Sequence, residues 1–143
     1  MSRITLDQAN TVTAGAFAKG KELNLKPLAC AVLDAGGHLI ACQRQDGAST
    51  GRLQIATGKA AGALFLGLSS RKIGELAAER PVFVASLAAV APAGVIPAAG
   101  GVILVDDEGV PLGAVGISGD ISDNDEICAL AGIATARLTA QGH

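Results

Sequence analysis

The 143-residue sequence predicts an α+β fold, in which helices flank a mostly antiparallel, five-stranded sheet. Two observations carry this prediction. Apolar runs joined by turns rich in Asp and Gly occur twice, which indicates two β-hairpins. Segments with apolar residues at helical spacing precede, separate and follow these hairpins. The predicted order is a helix, two strands, two or three helices, three strands and a last helix.

The first helix is predicted over residues 5–23, because small and apolar side chains recur on one side at helical spacing. Thr5 is expected to be the N-cap. Gln8 stands three residues later, where a capping box needs a side chain that reaches back to the cap.

The first hairpin is predicted to join strands 28–33 and 38–43. The continuous apolar run of the first strand is typical of a strand covered on both faces. The sequence Asp-Ala-Gly-Gly at 34–37 provides turn chemistry. Leu33 is expected to pair with His38, and successive side chains then alternate between the two faces of the sheet.

The middle of the chain is predicted to be helical over residues 51–66, with Thr50 as the cap. A second helical pattern runs over 69–77, and a weaker one over 82–90. Lys59 interrupts the apolar stripe of the first of these helices, which makes it a candidate functional residue. A lysine whose aliphatic stem packs on the apolar surface while its ammonium reaches solvent would produce the same pattern.

The last third is predicted to be rich in strands. A short strand is expected at 95–96, followed by a hairpin that joins 102–105 to 110–118 through a turn at 106–109. Ser122 is expected to cap the final helix, whose first turn is acidic.

Gly113 and Gly116 lie within a predicted strand, and Gly119 directly follows it. They do not form a dinucleotide fingerprint, which needs G-x-G-x-x-G between a strand and a helix. Glycines inside a strand indicate bulges or a close backbone approach to something bound.

Charge and composition argue against several classes of partner. A net charge of −2 provides no electrostatic footprint for duplex DNA or an anionic membrane, and an aromatic content of 2% provides no stacking platform for single strands. The stretch 81–105 is uncharged, but three prolines interrupt it, so a membrane span is not expected. Nucleic acid and membranes are therefore not expected as partners.

Cysteine usage and the N-terminal sequence favour a cytoplasmic protein. Cys30, Cys42 and Cys128 form no C-x-x-C pair and have no zinc spacing, and no apolar secretory segment follows Met1. The sequence has 28 Ala and 19 Gly, whose small side chains bury little area. We expect such a thin core to gain further burial through self-association.

His38 is the main candidate for chemistry, because the other histidine, His143, is the terminal residue. His38 could be a metal or haem-iron ligand, a general base, or a structural histidine bonded to its turn. A basic belt through the middle of the chain could clamp carboxylates or haem propionates, although solvated helix faces carry the same side chains. Its members are Arg44, Arg52, Lys59, Arg71 and Lys72.

Motifs along nearly the whole chain resemble, in order, those of the GlcG/HbpS family, which also includes the C-terminal domain of PduO-type proteins. The segment from Pro27 to Ala41 is similar to the signature hairpin of that family and contains its G-G-H sequence. Arg44-Gln45-Asp46-Gly47-Ala48 also matches, with Gln45 where Met is usual. The other matching segments are Ile55-Ala56-x-x-Lys59-Ala60, Gly100-Gly101, the stretch Gly113 to Gly119, and the stretch Asp125 to Gly132.

The resemblance implies that residues 1–143 form one profilin-like α/β sandwich that assembles into homo-oligomers, from tetramers to octamers. Several members of the family bind haem, and some have been linked to haem degradation or to cobalamin. The histidine of the G-G-H motif has been implicated in haem binding in some members. The resemblance therefore implies that His38 is a ligand of haem iron.

Three functions remain open. The first is a small-molecule binding protein for haem or another tetrapyrrole, in which His38 binds the iron and Arg44 or Arg52 pairs with the propionates. The second is an isomerase, lyase or hydratase acting on a small carboxylated metabolite, with His38 as general base and Arg52 or Lys59 holding the carboxylate. The third is an assembly protein without a small ligand.

Overall fold

The computed structural model describes residues 3–142, so His143 lies outside the described residues. Within this range the chain forms five α-helices, a short 3₁₀ turn at Leu87–Ala89 and five strands. In chain order the elements are α1 Leu6–Glu22, β1 Ala29–Asp34, β2 Leu39–Arg44, α2 Arg52–Leu66, α3 Ser70–Glu79, α4 Pro81–Ser86, β3 Gly101–Val105, β4 Pro111–Ser118, α5 Ser122–Thr135 and β5 Thr139–Ala140.

The five strands form one sheet in the order β2-β1-β4-β3-β5, and all neighbouring strands are antiparallel. Helices α1 and α5 pack against each other and against one face of this sheet, and α2 packs against the other face. The predicted α+β fold, with helices flanking a mostly antiparallel five-stranded sheet, is confirmed.

The main core lies between the sheet and the helix pair α1 and α5. Alternate residues of the buried strands point into it, as the two-residue period of a strand requires. These buried side chains include Cys30, Val32, Val102, Leu104, Val115 and Ile117 from the sheet, and Val12, Ala16, Cys128 and Ile133 from the helices.

The layer between the sheet and α2 is built from small residues, so the helix approaches the strands closely. A Cβ atom on Gly116 would collide with the carbonyl oxygen of Ala56, and one on Gly101 would collide with that of Lys59. The expectation that strand glycines face something bound is wrong at Gly116. The close approach is made by α2 of the same chain.

The first hairpin has a different register from the predicted one. His38 belongs to the turn, β2 begins at Leu39, and Leu33 pairs with Leu39 rather than with His38. Val32 pairs with Ala41, so Ile40 has no partner in β1 and the hydrogen-bond ladder is irregular at this point. The extra residue breaks the two-residue period between His38 and the rest of the strand.

The predicted strand at 95–96 is wrong, and the fifth strand is instead β5. Residues 95–96 belong to a loop that lies across α2 at two glycines. A Cβ atom on Gly58 would approach Ile96 to 2.8 Å, and one on Gly62 would approach Val95 to 3.0 Å. Val95 and Ile96 have side chains that favour strands, but their packing against Gly62 and Gly58 of α2 holds them in the loop.

One of the three predicted helix caps is confirmed. Thr5 and Gln8 form a complete capping box at the start of α1. The N-caps of α2 and α5 are Gly51 and Ile121, neither of which makes a side-chain cap bond, so the predictions of Thr50 and Ser122 as caps are wrong. Among the described residues, no helix is both long and apolar enough to cross a membrane.

Candidate functional site

His38 closes the tight turn between β1 and β2 through its backbone alone. Oδ1 of Asp34 accepts hydrogen bonds from the amides of Gly36 and His38, both at 2.9 Å, and the amide of Asp34 donates to the carbonyl of His38 at 2.8 Å. Gly37 supplies the positive φ of 84° that this turn needs. The imidazole takes part in none of the hydrogen bonds found within residues 3–142. Its donor and acceptor are therefore free to meet a ligand.

The imidazole lies at the rim of a cavity of about 280 Å³. Three segments line this His38 pocket: the turn residues 35–38, the side chains Ala61, Leu64 and Phe65 of α2, and the loop residues 91–94. Among these described residues none carries a permanent charge, and His38 is the only ionisable one. The pocket therefore offers an apolar wall with a single coordinating or basic group at its edge.

The loop wall of the pocket is held by the glycines of α2. The backbone of Val95 packs where a Cβ atom on Gly62 would stand, 3.0 Å away, and the carbonyl oxygen of Gly94 is only 3.3 Å from the same position. The absence of a side chain at Gly62 therefore sets how closely the wall approaches α2, and so the width of the pocket.

Arg52 lies at the other end of α2 from the His38 pocket. It precedes Ala61 by nine residues, or about 14 Å along the helix axis. Its Nη1 donates to Oγ of Ser118 at 3.2 Å, and Ser118 pairs with Ala29 at the start of β1. The structure does not bring Arg52 together with His38.

Arg44 is also remote from the pocket. It is the last residue of β2 and pairs with Ala29, whereas His38 precedes the first residue of that strand, Leu39. The five residue-to-residue steps from Leu39 to Arg44 correspond to about 17 Å of strand. Arg44 and Arg52 therefore both lie toward the Ala29 end of β1, and His38 lies at the Asp34 end.

Lys59 is buried, with 2% of its surface exposed, and does not reach solvent. Its Nζ donates to Oδ2 of Asp125 and to the carbonyl of Ile117, both at 3.0 Å. Burial lowers the pKa of Lys59 and raises that of Asp125, while the attraction between the two charges opposes both shifts. The lysine that interrupts the apolar stripe thus forms a buried ion pair that links α2 to α5.

Arg71 of the basic belt forms ion pairs with two carboxylates of α5. Its guanidinium bonds the carboxylate of Asp123 at 2.6 Å and that of Glu126 at 3.0 Å, and these bonds, that to Asp123 foremost, raise its pKa. The acidic first turn of α5, predicted to complement the helix dipole, therefore also holds α3 to α5.

The cysteines do not extend the site. All three are free thiols. Burial raises the pKa of Cys30 to about 12 and that of Cys128 to about 11, so both remain protonated and behave as small apolar side chains.

Sequence reasoning singled out His38 as a candidate but gave no sign of the segments that line its pocket. Phe65 and Leu64 lie on a helix that was predicted, but nothing in the local pattern marks them as pocket residues. The Pro92-Ala93-Gly94 loop carries turn residues and no polar group that would indicate a site. The Lys59–Asp125 pair was also missed, although a lysine within an apolar stripe is itself a signal for a buried partner.

Among residues 3–142, no cluster of three or more His, Cys, Asp and Glu side chains could hold a metal ion. A haem iron needs fewer protein ligands, because the porphyrin supplies four nitrogens and the protein supplies the axial positions. A lone, unpartnered imidazole at the edge of an apolar cavity fits that requirement.

The chain resembles several solved structures over nearly all of its length. A crystal structure of HbpS is 26% identical, with a TM-score of 0.81 over 100% of this chain and 93% of that one. Klebsiella pneumoniae protein ORFY is 27% identical, with a TM-score of 0.84 over 96% of this chain and 93% of that one. A PduOC:heme complex is 20% identical, with a TM-score of 0.85 over 96% of this chain and 98% of that one, and it supports the fold alone.

No curated protein sequence matches this chain. Residues 4–134, however, match the family described as haem degrading protein HbpS-like. Since this match covers most of the chain, the resemblance seen in its motifs is confirmed, and the chain belongs to the HbpS-like family.

Proposed function

We propose that this protein binds haem or another tetrapyrrole in the His38 pocket, with His38 as an axial ligand of the iron. One observation carries the proposal: the imidazole has no protein partner within residues 3–142 and stands at the rim of an apolar cavity of about 280 Å³. A neutral imidazole is a common axial ligand of haem, and apolar side chains suit the faces and edges of a porphyrin.

Membership of the HbpS-like family supports a haem-related function. PduOC, which has the same fold at 20% identity, has been solved as a heme complex, so one protein of this fold is known to hold haem. In this proposal Ala61, Leu64 and Phe65 of α2 form one wall against the tetrapyrrole, and residues 91–94 form another. Bound haem would supply an iron centre next to His38.

The alternative of an enzyme for carboxylated metabolites stays a prediction. It requires the base His38 and a cation, Arg52 or Lys59, to contact one small substrate. Arg52 lies at the far end of α2, and Lys59 is buried against Asp125. The arrangement of these residues therefore favours tetrapyrrole binding over proton transfer on a small acid.

Self-association is part of the proposal. Large apolar side chains on the surface of the described chain include Val82, 82% exposed, and Val90 and Ile121, both 66% exposed. Their exposure supports self-association, and we propose the tetramer to octamer that the resemblance implies. The free thiols of all three cysteines support a reducing compartment, and we propose the cytoplasm.

A haemin titration followed by absorbance tests the proposal. The wild type, His38→Ala and Val110→Ala are titrated in parallel, because Val110 occupies in the β3–β4 turn the place that His38 has in the β1–β2 turn. We expect a saturable Soret shift with a Kd of roughly micromolar or below in the wild type and in Val110→Ala, and its loss in His38→Ala. A shift of equal size and affinity in His38→Ala would refute the role of His38.

A further inference from the structure

Apart from His38, which binds the iron in the proposed complex, the described lining of the His38 pocket has no group that could neutralise a carboxylate. Its eleven lining residues include no Lys and no Arg. Burying an unpaired carboxylate against apolar side chains is costly, because the charge loses its hydration and gains no partner. The two propionates of a haem are therefore the part of the ligand that this pocket excludes.

The cations predicted to bind the propionates lie elsewhere. Arg44 and Arg52 lie toward the Ala29 end of β1, whereas the pocket lies at the Asp34 end of that strand. Lys59 is held by Asp125 at 3.0 Å. None of these three side chains lines the pocket.

The pocket is also too small to enclose a whole tetrapyrrole. Pockets that bury most of a drug-sized ligand have volumes of about 300–1,000 Å³. A cavity of about 280 Å³ falls just below that range, and a haem is larger than a typical drug. A tetrapyrrole bound in this pocket therefore extends beyond the cavity.

We infer that the tetrapyrrole enters the His38 pocket with its hydrocarbon edge leading, so that the vinyl and methyl groups contact the walls and both propionates remain in solvent without an arginine partner from the same chain. This inference rests on the proposed function and specifies which atoms of the ligand determine affinity. It assigns specificity to Leu64, Phe65 and the 91–94 loop, and it removes Arg44 and Arg52 from haem recognition.

The test compares three ligands in the same detergent-containing buffer: haemin, haemin dimethyl ester and haematohaemin, which carries hydroxyethyl groups in place of the vinyl groups. We expect the ester to bind within about threefold of haemin, because esterification alters only groups in solvent. We expect haematohaemin to bind at least about tenfold more weakly, because its hydroxyls lose water to an apolar wall. Arg52→Ala is expected to leave the affinity for haemin unchanged.

Three outcomes would overturn the inference while leaving the proposed function intact. The ester could bind more than tenfold more weakly than haemin, or haematohaemin could bind as tightly as haemin, in either case with His38-dependent haemin binding. Weaker haemin binding in Arg52→Ala, together with an unchanged affinity for the ester, would likewise restore the arginine–propionate contact. Absence of a His38-dependent shift with haemin itself would refute the proposed function and this inference with it.

Discussion

Replacing Lys59 by Met should destabilise the fold more than any other single change in the basic belt. The substitution keeps an unbranched, largely apolar side chain of similar length and removes the ammonium. It leaves the Asp125 carboxylate buried, with 1% of the residue exposed, and without its ion-pair partner. It also leaves the carbonyl of Ile117 without the lysine donor at 3.0 Å.

The expected cost follows from these two losses. Removing one partner of a buried ion pair costs about 3–5 kcal/mol, because the remaining charge is uncompensated. The Asp125 carboxylate keeps the backbone amide of Asp120 at 3.0 Å, which places the cost toward the lower half of that range. For a domain of this size, a loss of about 3–4 kcal/mol lowers Tm by roughly 10–15 °C.

Urea unfolding at neutral pH measures this cost, with Lys59→Met/Asp125→Asn as the matched control. In the double variant the side-chain amide oxygen at position 125 can still accept from the amide of Asp120, and no charge remains buried. We expect the double variant to recover more than half of the lost stability, because breaking a buried pair costs more than replacing both of its members.

The pH dependence of Lys59→Met provides an independent check. Burial already raises the pKa of Asp125 in the wild type, and loss of the lysine removes the attraction that opposes this shift. A carboxyl group with a raised pKa in the folded state destabilises the fold above that pKa and takes up a proton below it. The stability deficit of the variant should therefore grow as the pH rises through the folded-state pKa and shrink as the pH falls. A deficit below about 1 kcal/mol, or a double variant no more stable than the single one, would refute this reasoning.

Three further changes test the pocket and its surroundings. Gly36→Ala should weaken haemin binding without unfolding the protein, because the new Cβ would lie 3.1 Å from Cδ2 of His38 and displace the ring; a titration and circular dichroism measure the two effects. Gly62→Ala should also weaken haemin binding, because the new Cβ forces the 91–94 loop away from α2. A crystal structure of the variant shows whether the loop has moved, and only a variant with a displaced loop tests the role of this wall. Gln45→Met should cost about 1–2 kcal/mol in urea unfolding, because the amide of Leu28 loses its acceptor Oε1 at 2.8 Å, and an unchanged midpoint would contradict this.

Local sequence patterns predicted most of the secondary structure, because the signals for hairpin turns and amphipathic helices are local, although only one of the three predicted caps forms. The capping box at Thr5 and Gln8 forms as predicted, and the turns at 34–37 and 106–109 join the expected strands. The pattern failed where packing against a distant element decided the conformation. Residues 95–96 have strand-forming side chains, but the glycine face of α2 holds them in a loop.

The candidate site was only partly predictable for the same reason. His38 could be found because it is the single histidine in the body of the chain, whereas its pocket is formed by segments about 25 and 55 residues further along. The basic belt looked like one group in sequence, but the fold separates it. Arg52 bonds Ser118, Lys59 is buried against Asp125, and Arg71 bonds the start of α5.

The two hairpin turns show why the histidine is a functional signal. In each turn an aspartate, Asp34 or Asp106, accepts from the amide two residues later and from the amide four residues later, all at 2.9 Å. The fourth position is His38 in the first turn and Val110 in the second, and only its backbone takes part. The turn therefore forms equally well with either side chain, and folding does not require an imidazole. The first turn differs in that it meets the end of α2 and the 91–94 loop, and there His38 is the one polar side chain at the rim of an apolar cavity. Since the fold does not require this imidazole and the pocket places it within reach of a ligand, the comparison of the two turns supports the proposal that His38 binds a ligand.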